Sequence, residues 1–147
     1  MATLIEWAQE TINPMPGCTR ISPACDHCYA ERLASTRLAH LPQYKGLTAG
    51  GRWNGSTRFV FDELGKPFRW KKPKRIFVNS MGDLFHHGNS FNYIDAIFAM
   101  MADCPQHTFM VLTKRPARMQ EYMSPSWRRE SVYGLTSMAH EIGGPVP

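Results

Sequence analysis

The sequence predicts an α/β fold of about four successive βα units, and three observations carry that prediction. Short β-branched and aromatic runs recur along the chain, segments with helical periodicity lie between them, and polar residues gather just after each run. Arg75-Ile76-Phe77-Val78-Asn79 and Thr108–Thr113, with Phe109-Met110-Val111-Leu112 inside it, read as buried strands. A short segment around Ile5, Trp7 and Ile12 reads as the first strand, and Val132-Tyr133-Gly134-Leu135-Thr136 as the last. Strands alternating with helices at this spacing imply parallel pairing, because a parallel partner is reached only through a crossover.

The elements follow in order. The first segment ends in Asn13-Pro14-Met15-Pro16-Gly17, a dense set of chain-turning residues. A loop with three cysteines and Pro23 comes next. Tyr29 to Leu41 predicts a helix with Ala30, Leu33, Ala34, Leu38 and Leu41 on one face and Glu31, Arg32 and Arg37 among the intervening positions. Residues 43–68 are an irregular insertion after that helix, rich in glycine, with Phe59-Val60-Phe61 as its one short strand. Beyond Arg75–Asn79, Ser80-Met81-Gly82-Asp83 forms a polar turn. Phe91 to Ala102 predicts a helix carrying Ile94, Ile97, Phe98 and Met101, capped by Asn89 or Ser90 and ended at Cys104-Pro105. Lys114-Arg115-Pro116 leads into a helix through Met123, with Pro116 in its first turn. Residues 1–137 make one domain, and 138–147, which has no periodicity, reads as a flexible or truncated tail.

Composition narrows the function classes. A chain of 147 residues with 43% hydrophobic and 12% aromatic content can build one core and is not a disordered segment. No stretch approaches the roughly 20 apolar residues of a membrane span, and the first residues carry Glu6 and Glu10 with no apolar block, so a soluble, cytoplasmic protein is expected. The net charge of +5 is concentrated in Arg69-Trp70-Lys71-Lys72-Pro73-Lys74-Arg75 and in Arg115, Arg118, Arg128 and Arg129. Cations interleaved with aromatics suit nucleic acid as a partner; the other reading is a solvated basic face. Four cysteines, three of them close together, point to metal and not to a disulfide framework.

Those three form Cys18-x6-Cys25-x2-Cys28 in a loop directly before a helix. Thiolates are soft ligands for iron–sulfur clusters and for zinc. Three ligands on a [4Fe–4S] cluster leave one iron open to a substrate or cofactor, and a helix amino end favours thiolate charge. A zinc site needs a fourth ligand, which His27, His86, His87 or Cys104 would have to supply. The third reading is unliganded core cysteines. Polar groups at the carboxyl ends of the predicted strands, namely Ser80 and Asp83, then Thr113, Lys114 and Arg115, then Thr136 and Ser137, would line one mouth with the cysteine loop.

The Cys-x2-Cys-Tyr-Ala segment before a helix, after Asn13-Pro14-x2-Gly17-Cys18, resembles the ligand loop of the radical-SAM superfamily. The wider pattern adds Trp7, Ser22-Pro23-x-Cys25-x2-Cys28-Tyr29-Ala30-Glu31, Arg75–Met81 with Asp83-Leu84-Phe85-His86, and Gln106-His107-Thr108-Phe109-x-Val111-Leu112-Thr113-Lys114-Arg115-Pro116. Over residues 5–123 it is similar to a phage and prophage three-cysteine-motif family of radical-SAM-like proteins of unassigned substrate, here apparently C-terminally truncated.

That resemblance implies a partial (β/α) barrel with a [4Fe–4S] cluster on Cys18, Cys25 and Cys28 at its mouth. S-adenosyl-L-methionine would bind the open iron and, after electron transfer, yield methionine and a radical that abstracts hydrogen from substrate. His27 takes the position before the last cysteine, commonly aromatic in the superfamily, where it would stack on adenine. Asn79, Ser80 and Asp83 stand where the superfamily holds the cofactor's amino group, and Tyr29, Thr113 and Lys114 complete the cofactor set, with Arg115 for substrate. The gap between Cys18 and Cys25 is longer than in the common motif, so the loop must bulge. An electron donor, a companion protein completing the barrel and a nucleic-acid-related substrate are the expected partners, in the cytoplasm of a bacterial host. The competing readings are a zinc- or cluster-stabilised nucleic-acid-binding module and an inactive remnant.

Overall fold

A computed structural model describes residues 5–124. In chain order the elements are β1 (Glu10–Ile12), α1 (Tyr29–Ser35), β2 (Thr48–Ala49), β3 (Arg52–Trp53), β4 (Arg75–Val78), α2 (Phe91–Asp103), β5 (Thr108–Val111) and α3 (Pro116–Met123). Strands β1, β4 and β5 form a parallel sheet with β4 in the centre, pairing Ile12 with Val78 and Val78 with Val111. The fold is α/β with a small parallel sheet, as the alternation predicts. The expected strand Val132–Thr136 and the tail 138–147 lie outside the described residues. Among the described residues no helix is long and apolar enough to cross a membrane.

The central strand is covered on both faces, so Ile76, Phe77 and Val78 are all buried and the sequence is apolar without alternation. Helix α2 starts at Ser90, whose hydroxyl accepts the Asn92 amide at 3.2 Å, and it turns Ile94, Ile97 and Met100 onto one face of the sheet. Ile12, Ile76, Val78, Leu84 and Phe85 close that core. Helix α3 joins it through Tyr122, whose hydroxyl donates to Asp95 Oδ1 at 2.7 Å and whose ring touches Phe85, Phe91 and Phe98.

Two expectations are corrected. Helix α1 ends at Ser35, not Leu41. The hydroxyls of Ser35 and Thr36 both donate to the Arg32 carbonyl, at 3.1 and 2.6 Å, and the Thr36 amide turns to Leu33 instead. Side chains that bond back to the backbone in this way compete with the helix ladder. The other correction concerns residues 43–68, where Phe59-Val60-Phe61 is not a strand. Val60 and Arg58 donate their amides to Pro14 and Pro16, and a 3-10 turn runs over Phe61–Gly65. The strands of this region are β2 and β3, joined as a hairpin through Gly50 and Gly51 with φ of 56° and 79°. A two-residue turn with both φ positive matches strand twist and asks for glycine.

Candidate functional site

The carboxyl ends of β1 and β4 continue side by side and build the floor of the site. Asn13 Oδ1 accepts from the Met81 amide (2.8 Å) and the Ser80 hydroxyl (3.0 Å), while Asn79 Oδ1 accepts from the Met15 amide (2.9 Å). Each asparagine thus satisfies the other segment's backbone. Asn79 takes a φ of 68°, a conformation that asparagine tolerates better than most residues. Gly17 and Gly82 then meet in a parallel bridge, with the Gly17 amide on the Met81 carbonyl at 3.1 Å. A Cβ on Gly82 would stand 2.6 Å from the Met15 carbonyl oxygen and 2.7 Å from that of Gly17, so only glycine allows this approach. The cysteine loop leaves the sheet here.

Cys18, Cys25 and Cys28 all line one cavity of about 210 Å³ above these strand ends. Cys25 closes a 3-10 turn begun by Pro23, and Cys28 sits at the N-cap of α1. Tyr29, Asn79, Ser80, Asp83, Thr113, Lys114 and Arg115 line the same cavity, so most of the residues singled out by sequence converge. His27 does not. It is exposed, in an adjoining depression with Asp26 and Arg32 that shares Arg20, Cys28 and Tyr29 with the cavity.

Two cations face two of the thiols. Lys114 Nζ lies 3.6 Å from Cys25 Sγ and donates to the Ala24 carbonyl at 3.0 Å. Arg115 Nη1 lies 3.7 Å from Cys18 Sγ, and its Nη2 donates to the Thr19 carbonyl at 2.9 Å. Burial pushes the Cys18 thiol up, against the charge and hydrogen bond of Arg115, and the net shift is upward. For Cys25 burial also pushes upward, but hydrogen bonds at Ile21 and Ser22 and the Lys114 charge outweigh it, leaving that thiol more acidic than usual.

Asp83 is spent within the chain. Its carboxylate accepts from Thr113 Oγ1 (2.7 Å), the amides of Phe85 and Lys114 (both 3.0 Å) and Arg115 Nη1 (2.9 Å). It joins the ends of β4 and β5 and holds Arg115 over Cys18, which differs from the expected contact with a cofactor's amino group. Arg115, expected for substrate, is likewise engaged by Asp83 and Thr19. Asn79 differs from both: its Nδ2 is buried and has no hydrogen-bond partner among the described residues. Tyr29 is half exposed and donates its hydroxyl to the Ser80 carbonyl at 2.8 Å.

Three groups take structural roles that the sequence did not indicate. Glu31, set among polar positions of the predicted helix, is buried; it accepts from Arg20 Nη2 at 2.5 Å and from the Trp53 amide at 2.9 Å, tying the loop, α1 and the hairpin together. The Arg20 hydrogen bond holds its carboxyl below the usual range. His86 is fully buried; its Nδ1 accepts the Gly88 amide at 3.0 Å, so Nε2 carries the proton and donates to Thr19 Oγ1 at 2.8 Å. Burial, with Arg115 and His87 nearby, lowers its pKa to about 4 and keeps it neutral. Thr19 had no sequence signal, since its partner is far along the chain. Cys104 is buried at the end of α2, away from the cavity, as a small apolar residue.

Residues 2–142 match the family described as "Protein of unknown function (DUF5131)". The chain belongs to that family. No curated protein and no solved structure matches it.

The chemistry of the donor set distinguishes what the cavity would suit. Among the described residues no group of three or more His, Cys, Asp or Glu gathers around a single metal position. One zinc ion needs such a convergence, with sulfur at about 2.3 Å. A [4Fe–4S] cluster asks for something else, since each thiolate binds a different iron and the sulfurs stand around a cavity. Three thiols lining one pocket, two of them beside cations that offset thiolate charge, fit the second demand.

Proposed function

We propose that the chain binds a [4Fe–4S] cluster through Cys18, Cys25 and Cys28 and acts as a radical-SAM-type enzyme on a partial (β/α) barrel. The observation that carries this reading is the shared cavity: three thiols of one loop and the polar carboxyl ends of two parallel strands face the same space. The motif resemblance to phage three-cysteine proteins supports it, as does the absence of any fourth cysteine from that cavity, which leaves one iron without a protein thiolate. When bound, the cluster supplies an electron to S-adenosyl-L-methionine. The chain's own residues do the rest. Lys114 and Arg115 offset negative charge at the thiolates, Asp83 fixes Arg115, and Asn79 offers a buried, unpaired donor at the cavity wall. Tyr29, Ser80 and Thr113 line the space available to the cofactor. Free thiols suit a reducing cytoplasm, here that of a bacterial host with its own electron donor.

Anaerobic reconstitution with ferrous iron and sulfide tests the reading. About four irons per chain and a broad absorbance near about 400 nm are expected, both lost in Cys25→Ala. Under a strong reductant the loaded protein should cleave S-adenosyl-L-methionine. Colourless protein holding one zinc, or unchanged iron in Cys25→Ala, overturns the assignment.

A further inference from the structure

The basic run Arg69–Arg75 ends on the first residue of β4, so it lies at the amino end of the sheet, whereas the cysteine cavity lies at the carboxyl end. One strand length, about 13 Å at 3.3 Å per residue, separates Arg75 from Asn79. Arg69, Lys71, Lys72 and Arg75 are exposed, and among the described residues none of them has a carboxylate partner. Lys74 is the exception: its Nζ holds the buried Glu10 at 2.5 Å and stands 5.3 Å from the centre of the Trp70 ring. Glu6, before β1, and Asp103, at the end of α2, are the acidic residues that the topology brings to the same end.

The run is not a loose tether. His107, buried at the start of β5, accepts the Lys74 amide on Nδ1 at 3.3 Å. Its Nε2 therefore carries the proton and donates to the Pro67 carbonyl at 3.0 Å. One imidazole thus spans residues 67–74 and holds the loop's two ends. The Trp70 ring packs edge-on against it, and Phe68 stays 47% exposed beside the cations. A fixed loop presenting unpaired cations next to an exposed aromatic ring matches what single strands bind: charge tracks the backbone and rings stack on bases.

We infer that this loop is a docking surface for single-stranded nucleic acid, built on His107 and separate from the cysteine cavity. It holds a polymer at the far end of the sheet and does not present the bound segment to the thiols. The inference stands without the cluster proposal.

Fluorescence anisotropy with a labelled oligo-dT of about 15 nucleotides tests it on the whole chain. Four phosphate contacts predict about fifty-fold weakening between about 50 and about 200 mM salt. The double variant Lys71→Glu/Lys72→Glu should weaken binding by about tenfold or more. Arg37→Glu/Lys45→Glu changes net charge equally on another surface and should leave binding as it is. Phe68→Ala should cost about fivefold for the single strand and nothing for a duplex. No binding at low salt, equal losses in the two charge variants, or full competition by poly-glutamate at matched charge overturns the inference; the last result would mark an acidic protein as the partner.

Discussion

The two packing units of this molecule are held by different forces. Around the sheet, Ile12, Ile76, Val78, Ile94 and Ile97 are fully buried within a broad apolar cluster that also takes in Met15, Leu84, Phe85 and Tyr122. The lobe made by the cysteine loop, α1 and the β2–β3 hairpin has a thin apolar cluster of Ala30, Ala34, Tyr44 and Met81. Polar contacts do more of the work there: Glu31 holds Arg20 and the Trp53 amide, and Arg58 donates to the carbonyls of Pro42 and Lys45. Hydrophobic burial stabilises without fixing orientation, whereas hydrogen bonds fix geometry at small net gain. The lobe that carries the thiols is therefore built for position more than for stability, and it depends on the sheet for its footing.

Truncation in each unit is the strongest way to break that comparison. Ile97→Ala removes three buried carbons from a fully enclosed site and should lower global stability by about 2–5 kcal/mol. Leu33→Ala, at the half-buried edge of the lobe cluster, should cost about half as much or less. Denaturant titration measures both. Equal losses would mean that the lobe is as deeply packed as the sheet.

The seam between the units comes next. Gly82→Ala forces the chain after β4 away from the Met15 and Gly17 carbonyls and should cost about 1–3 kcal/mol. Because the cysteine loop leaves from Gly17, iron uptake on reconstitution should fall further than stability does. Gly50→Ala, at the hairpin tip with φ of 56° and open space around it, should cost about 1 kcal/mol and leave iron uptake intact. Parallel loss of uptake in both variants would show that the seam has no special part in placing the thiols.

The sheet was legible because burial writes itself locally: Ile76–Val78 is apolar throughout, and Ile94, Ile97 and Met101 keep helical spacing. Convergence of Ser80, Asp83, Thr113 and Lys114 followed from parallel strands alone, which put their carboxyl ends together. The lobe was harder because its determinants are distant or polar. Glu31 reads as a solvent position until Arg20 and Trp53 are brought to it. The helix end at Ser35 depends on two hydroxyls sharing one carbonyl, which periodicity does not register. The hairpin had its signal in Gly50-Gly51, but two-residue strands carry no pattern of their own. Asp83 and Arg115 were both singled out as ligand contacts, and no spacing rule indicates that they satisfy each other.

The smallest effect is also the most local, and it isolates the polar half of the comparison. Glu31 ionises more readily in the fold than in an open chain, through its hydrogen bonds from Arg20 first and then from the Trp53 amide. A carboxyl with a depressed folded pKa contributes its full stability above the unfolded value, about 4.3, and loses it as pH falls through the lower folded value. Acid should thus loosen the lobe before the sheet. Amide exchange reads this directly: protection at Trp53 should begin to fall below about pH 4.3, while Val78 and Ile97 keep theirs. In Glu31→Gln the Trp53 amide retains an acceptor but the Arg20 pair is gone, so that pH dependence should vanish. If Trp53 lost protection at the same pH in wild type and variant, a different group would govern the lobe in acid. His86 would be the one to examine, since burial keeps it neutral down to about 4.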